Sequence, residues 1–336
     1  MRYLVLLGGL AAAILGYWLF WDYLAARLLA GAEQWAGEQR AAGLILAHRP
    51  FTVEGFPYRL TLRADGFSLA DLRGAERWTV AGNVLAHLQP WSPNHAVVQG
   101  GDMTVTAWRS GDAPPAVARP FNGRASIVSE AGQWQRLGLD AERPALATTG
   151  LVLSAERLKV AVRRNRGADK DHPEGSFDLN LDAEGVDVPA AVAPGFDRVI
   201  GRINASGLLT GQWSGGPLAA ALEAWREDGG ILDVARFELV WGKVEARGNA
   251  TLALDKPMRP EGAGTADIKG FTEIIDTLVK SGQMRAADGG FAKAGLALMA
   301  KPDSDGRPVL KLPISAQGGQ LFLGPAPVAK LQPILK

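Results

Sequence analysis

The sequence predicts a mainly β protein with a few α-helices, attached to a membrane by an N-terminal transmembrane helix. Three observations predict this fold class. An uncharged apolar run covers residues 3–21, apolar and polar side chains alternate from His48 onward, and 41 Gly and 20 Pro residues supply turns between short strands. We expect the body after the anchor to be an extended antiparallel β-sheet, either curved or closed into a β-sandwich.

The N-terminal run, YLVLLGGLAAAILGYWLFW, has about the length that an α-helix needs to cross roughly 30 Å of hydrocarbon. Tyr17, Trp18, Trp21 and Tyr23 cluster at its far end, where amphipathic rings favour the headgroup layer. Arg2 lies on the near side, so the positive-inside rule predicts a cytoplasmic N terminus and a translocated body. The predicted location is a bacterial inner membrane, crossed once, with the body in the periplasm.

Two features of this segment leave alternatives open. The small residues Ala30, Gly31 and Ala32 resemble a signal-peptide cleavage site. The apolar core is longer than the about 7–15 residues typical of a signal peptide, which favours a retained anchor. A stripe of small residues would let two such helices approach closely and form a homodimer: Gly9, Ala12, Ala13 and Gly16.

The predicted domain organisation is an anchor at 1–23, a membrane-proximal helix at 24–43 and a periplasmic body at 44–336. Apolar residues at helical spacing favour the second segment as a linking helix that ends at Gly43. Similarity between residues 150–158 and 230–237 leaves open that the body consists of two similar halves, 44–165 and 175–336.

Within the body, the period of the apolar pattern distinguishes strands from helices. Period-two alternation predicts strands over Phe51–Val53 and Tyr58–Leu62, and another over Phe67–Leu72 after a turn at Asp65–Gly66. Spacing close to 3.6 predicts three helices, at residues 218–225, 271–279 and 290–300.

Composition excludes several classes of protein. The 36 basic and 35 acidic residues nearly cancel, which argues against binding to nucleic acid. Because the chain has no Cys, it has neither disulfides nor thiolate metal sites. The predicted partners are the lipid bilayer and either a lipid ligand or an envelope protein.

The sequence contains no catalytic motif, and we predict no catalytic residues, metal or cofactor. None of the four His residues has a metal-binding spacing. His172 has Asp169, Asp171 and Glu174 beside it, but a solvated loop explains this cluster as well as a cation site does. His87 and His95 flank Pro90–Pro93, and we interpret them as residues that cap or pad a turn.

The segment Gly55–Leu60 is the candidate ligand-binding site. Gly55 and Pro57 predict a structural corner between two strands, with Tyr58 and Leu60 on one side of the second strand. The functional alternative is an apolar lip for an acidic lipid headgroup, in which Arg59 would supply charge-assisted hydrogen bonds. The candidate ligand-binding residues are Phe56, Tyr58, Arg59 and Trp91. Most of the ten Trp residues are expected in the core, although some could line an apolar groove.

Five short motifs in this order carry a resemblance to a known family. They are GFPYRL at 55–60, PWSP at 90–93, WREDGG at 225–230, WGK at 241–243 and GGQLFLGP at 318–325. Together they resemble an uncharacterised, mainly alphaproteobacterial envelope family, domain of unknown function 2125. The resemblance implies membrane attachment and a large extracytoplasmic β-rich region, and it supplies no catalytic residues. The architecture is also similar to that of AsmA-like proteins, whose long curved sheets are thought to carry lipid between membranes.

The function expected from these observations is that of a non-enzymatic, membrane-anchored envelope protein. It would bind lipid or another apolar envelope component in a groove of the β-sheet. One alternative is a structural or assembly partner of another envelope protein. A hydrolase with a noncanonical site is the least favoured hypothesis.

Overall fold

A computed structural model describes most of the chain: residues 2–73, 77–100, 102–108, 114–120, 122–148, 151–167, 175–190, 193–213, 218–304, 306–324 and 326–334. The chain divides into two compact units, Met1–Val152 (unit 1) and Leu153–Lys336 (unit 2). The predicted fold class is confirmed, because the described residues of both units consist mainly of antiparallel strands, accompanied by four helices.

Unit 1 begins with a single long helix, α1, at Arg2–Ala41. Its residues up to Phe20 are exposed except for the half-buried Tyr17, whereas Trp21, Ala25 and Ala36 are buried. In the described part of the chain, α1 is the one helix long and apolar enough to cross a membrane, which is consistent with a single-pass anchor.

The second half of α1 packs on the sheet of unit 1, where sequence analysis expected only a linking helix. Trp21 and Ala25 surround Leu60, while Ala36 packs with Leu46 and Phe51. The small side chains of Ala25 and Ala36 permit this close approach of helix and sheet.

The strands of unit 1 are antiparallel. They are β1 Ile45–Ala47, β2 Thr52–Glu54, β3 Leu60–Asp71, β4 Arg77–Gln89, β5 Ser92–Gly100, β6 Thr104–Trp108, β7 Ala116–Arg119, β8 Gly123–Glu130, β9 Gln133–Glu142 and β10 Ala145–Thr148, with β11 at Leu151–Ser154 reaching the unit boundary. β3 pairs with β1, β2 and β4. The long β4 then pairs with β5 near one end and β6 near the other, and these lead to β8–β9 and β7–β10.

The predicted turn at Asp65–Gly66 is wrong, because β3 runs through it without a break. The register between β3 and β4 shifts between Ala64 and Phe67, and Gly66 has a positive φ of 60°. This is the geometry of a β-bulge, in which a left-handed Gly adds one residue to a continuous strand. An Asp-Gly pair is typical of both structures, so the sequence pattern alone did not distinguish them.

Unit 2 is a meander of antiparallel strands. They are β12 Arg157–Arg164, β13 Phe177–Asp187, β14 Val199–Thr210, β15 Ile231–Trp241, β16 Val244–Leu254, β17 Pro260–Lys269, β18 Lys301–Pro302, β19 Pro308–Gln317, β20 Gln320–Leu323 and β21 Ala326–Lys330. Consecutive strands pair from β12 to β17, followed by β19, β20 and β21. β18 adds two residues beside the start of β19.

Three helices belong to unit 2: α2 Leu218–Glu227, α3 Phe271–Lys280 and α4 Ala286–Met299. All three predicted helices are confirmed, although α4 begins four residues earlier than its apolar pattern indicated. α3 packs Phe271 on Ile268 and Leu310 of the sheet, with Leu296 of α4 beside them. Burying this apolar cluster stabilises one end of unit 2.

Candidate functional site

The predicted corner at Gly55–Arg59 is a tight turn between β2 and β3. The backbone N–H of Arg59 donates a hydrogen bond to the carbonyl oxygen of Gly55, 3.1 Å away. Gly55 has a φ of 106°, and a Cβ atom there would lie 2.8 Å from the Arg59 carbonyl oxygen, so only Gly fits. The Phe56–Pro57 peptide bond is cis. Tyr58 lies in the turn itself, because β3 begins only at Leu60.

Two side chains of α1 hold this turn. The Tyr17 hydroxyl donates a hydrogen bond to the Pro57 carbonyl oxygen at 2.5 Å, and the indole Nε1 of Trp21 donates one to the Arg59 carbonyl oxygen at 3.2 Å. The ring of Phe56 meets Trp21 edge-on, with 5.6 Å between centroids. These contacts satisfy two carbonyl groups of the turn and fix its position at the end of the exposed part of α1.

The four predicted ligand-binding residues lie at one end of the unit 1 sheet. Leu60 pairs with Leu88, so the start of β3 lies beside the end of β4, where the β4–β5 turn carries Trp91. Tyr58 is 76% exposed, Trp91 63% and Phe56 47%. Arg59 is exposed and makes no ion pair with any residue in the described part of the chain. The prediction that Tyr58 and Leu60 lie on one side of the same strand is wrong. Tyr58 is exposed in the turn, whereas Leu60 is buried against Trp21.

The histidines of unit 1 have structural roles. His87 lies within β4, where its ring nitrogens contact Thr61 Oγ1 at 3.0 Å and Gln99 Oε1 at 3.4 Å. His95 lies within β5 and contacts Ser126 Oγ. The interpretation of both as turn-padding residues is therefore wrong, since each bridges neighbouring strands. His172 and the carboxylates beside it lie outside the described residues.

Unit 2 contains an apolar groove that sequence analysis did not locate. The groove has a volume of 280 Å³ and lies between α2 and the sheet. Its floor is a cross-strand row, because Leu209 pairs with Leu232 and Leu232 pairs with Leu252. Leu222 and Trp225 of α2 and the 40%-exposed Trp213 form the other wall.

The loops around the groove are held by specific polar contacts. Trp225 donates a hydrogen bond from Nε1 to the Thr210 carbonyl oxygen at 2.7 Å, which fixes α2 above the sheet. The Arg259 side chain bonds to Asp255 at 2.7 Å in the β16–β17 turn. Burial raises the pKa of Asp255, but the side-chain and backbone hydrogen bonds from Arg259 outweigh it, and the pKa lies below its usual value.

The opposite face of the same sheet is charged. The register places Glu238 beside Arg247, Arg247 beside Asp267 and Asp267 beside Lys311, so charges of opposite sign alternate across four strands. A depression of 430 Å³ lies over this row. The four charges of this row neutralise one another in pairs, and Arg236 and Phe237 also line the depression.

Among the described residues, no group of three or more His, Asp or Glu side chains has an arrangement that could hold a metal ion. Sequence analysis left open that some of the ten Trp residues line an apolar groove, and Trp213 and Trp225 are the two that lie in this one.

The fold and these sites define a class of β-rich proteins with one N-terminal helix that is able to span a membrane. The chain belongs to a family of uncharacterised proteins conserved in bacteria, DUF2125, whose model matches residues 21–332. The match begins at Trp21, the first buried residue of α1. No curated protein and no solved structure matches the chain.

Proposed function

We propose that this protein is a non-enzymatic, membrane-anchored envelope protein that binds the apolar chain of a lipid in the unit 2 groove. The observation that carries the proposal is the open apolar row Leu209–Leu232–Leu252 beneath α2. These leucines are half-buried, whereas the core residues Leu310 and Leu312 at the other end of the sheet are buried.

The size and lining of the groove favour a single apolar chain. Its 280 Å³ lies just below the roughly 300–1,000 Å³ typical of small-molecule sites. Leucine, tryptophan, alanine, proline and isoleucine side chains line it. Burying an apolar chain there would contribute about 25 cal/mol per Å² of apolar surface removed from water.

We propose a bacterial inner membrane as the location, with the N terminus in the cytoplasm and the chain that follows the apolar run of α1 in the periplasm. The apolar run of α1 and the placement of Arg2 before it support this orientation. Protease treatment of spheroplasts would test it. Degradation of the chain that follows the apolar run in intact spheroplasts is the expected result, and full protection would contradict the orientation.

Photo-crosslinking in cells tests the lipid-binding function. The photoreactive residue p-benzoylphenylalanine replaces Trp213 in the groove or, as a matched control, Phe291 on α4, which is 81% exposed. We expect lipid adducts at position 213 and none at position 291. Absence of lipid at position 213, or equal labelling at both positions, would contradict the proposal.

One surface favours a second candidate function, assembly with another envelope protein. Phe291, Leu298 and Met299 lie on one side of α4 and are 81%, 90% and 60% exposed. Apolar helix faces of this kind bind protein grooves. Protein adducts at position 291 in the same experiment would support this candidate. We propose no catalytic activity.

A further inference from the structure

The end of unit 1 that carries the predicted ligand-binding residues has a defined place along α1. Residues 2–20 precede the first buried residue of α1, Trp21, and at about 1.5 Å per residue they span about 28 Å. This length matches the roughly 30 Å of a bilayer's hydrocarbon core. The membrane surface therefore falls near Tyr17–Trp21 if α1 crosses the bilayer.

The turn at Gly55–Arg59 lies at that same level. Tyr17 and Trp21, one helical turn apart, donate hydrogen bonds to the carbonyl oxygens of Pro57 and Arg59. Both bonds join α1 to the turn within unit 1, so the turn has a fixed position along the helix axis. β3 starts at this turn and runs beside the second half of α1. The other end of β3 therefore lies about 40 Å from the turn, measured along the strand.

Outside α1, the exposed aromatic residues of the described part of unit 1 are concentrated at this level. Apart from residues of α1, the large aromatic side chains exposed in the described part of unit 1 are Phe56, Tyr58 and Trp91. Trp18 and Phe20 of α1, each 47% exposed, lie at the corresponding position on the helix. Aromatic rings at the end of an apolar span are typical of the membrane–water interface, where one part of the ring meets acyl chains and another meets water.

Arg59 adds a charge to this aromatic surface. Its side chain is exposed and makes no ion pair with another described residue. A guanidinium group can donate two parallel hydrogen bonds to a phosphate, which makes Arg suited to a phospholipid headgroup. Aromatic side chains beside an exposed Arg fit a bilayer surface better than they fit water.

We propose that Phe56, Tyr58 and Trp91 insert into the interfacial layer of the bilayer and that Arg59 binds the phosphate of a phospholipid there. This surface would fix unit 1 on the membrane beside its anchor. The inference rests on α1 crossing the membrane, which is part of the proposed function, but it does not depend on the unit 2 groove.

Spin-label depth measurements on the full chain test this inference. Because the protein has no native Cys, single Cys residues can replace Tyr58, Trp91, Leu72 or Ala13 without background labelling. Leu72 is a matched control, since it is 49% exposed and follows the distant end of β3. Ala13 lies within the apolar span of α1. The labelled proteins are reconstituted into vesicles of phosphatidylcholine and phosphatidylglycerol. The depth of each label follows from the ratio of its collision rate with oxygen, which favours hydrocarbon, to its collision rate with a polar nickel complex, which favours water.

We expect labels at positions 58 and 91 to have interfacial depth, the label at 72 to be aqueous and the label at 13 to lie in hydrocarbon. Aqueous labels at 58 and 91, with position 13 still in hydrocarbon, would overturn this inference and leave the anchor intact. An aqueous label at 13 would overturn the anchor and the inference together. For Arg59, the R59E substitution is expected to move the label at 58 toward water more than R59K does, because Lys keeps the charge although it cannot form the two parallel hydrogen bonds; equal depths in R59E and R59K would overturn the phosphate contact.

Discussion

The indole Nε1 of Trp21 donates a hydrogen bond to the backbone carbonyl oxygen of Arg59 across 3.2 Å. This bond joins the helix that carries the apolar span to the turn at the end of the unit 1 sheet. Trp21 also packs on Leu60 and meets the ring of Phe56 edge-on. One side chain therefore connects the anchor to the sheet.

Truncation of Trp21 should destabilise unit 1. W21A removes a buried aromatic ring and should lower the free energy of unfolding by about 3–5 kcal/mol. W21F keeps most of the ring, loses the hydrogen bond and should cost about 1 kcal/mol from that bond. Thermal unfolding of the full chain in detergent measures both. The control is W18A, which replaces an exposed Trp on the same helix; equal melting temperatures for W21A and W18A would contradict the packing role.

The contact between Asp71 and Arg73 should make the end of α1 sensitive to acid. The Arg73 guanidinium bonds to Asp71 and to the carbonyl oxygen of Ala42, just beyond α1. Hydrogen bonds from the side chain and backbone of Arg73 lower the pKa of Asp71 to about 2. Since an unfolded Asp has a pKa of about 3.9, this contribution to stability is present at neutral pH and is lost as the pH falls from about 4 toward about 2.

D71N removes this titration and should reduce the loss of stability in acid. The measurement is the melting temperature of the native chain and of D71N between about pH 6 and about pH 3. We expect the melting temperature of the native chain to fall more than that of D71N over this interval. Equal falls in the melting temperature of the two proteins would show that the Asp71–Arg73 contact does not contribute to stability.

The groove should bind an apolar probe. A fluorescent polyene fatty acid is expected to bind the full chain, and L222W, which places a larger ring in the groove, should weaken this binding about tenfold or more. The matched control is L298W, because Leu298 is 90% exposed on α4 and lies away from the groove. Equal affinities of L222W and L298W would contradict binding between α2 and the sheet.

Two Gly→Ala substitutions in unit 2 should have opposite effects. A Cβ atom at Gly262 would lie 2.0 Å from the Thr251 carbonyl oxygen of the paired strand, so G262A must separate β16 from β17 and should cost at least about 2 kcal/mol. Gly290 lies on the exposed side of α4 with no atom near its Cβ position, so G290A should stabilise the helix by about 0.5–1 kcal/mol. Thermal unfolding measures both, and a stable G262A protein would contradict the close pairing of β16 and β17.

The helices and the corner could be predicted because each depends on residues that are close together in the sequence. The apolar run of α1 and the 3.6-residue spacing of α2 and α3 are visible in short windows of sequence. Gly55 and Pro57 likewise indicated the corner. Gly55 extends the backbone conformations available at its position, and Pro57 restricts those available at its own.

The groove could not be located in the same way. Leu209, Leu232 and Leu252 are about 20 residues apart, and only the register of β14, β15 and β16 brings them into one row. The contact of Tyr17 with Pro57 joins residues 40 positions apart and depends on how α1 packs on β3. No local signal in the sequence specifies either arrangement.

Native mass spectrometry of the full chain, released from detergent micelles, is the most direct test of lipid binding in the groove. We expect the native protein and L298W to retain one lipid per chain and L222W to lose it. A native chain without lipid, or L222W carrying as much lipid as the native protein, would contradict the proposed function.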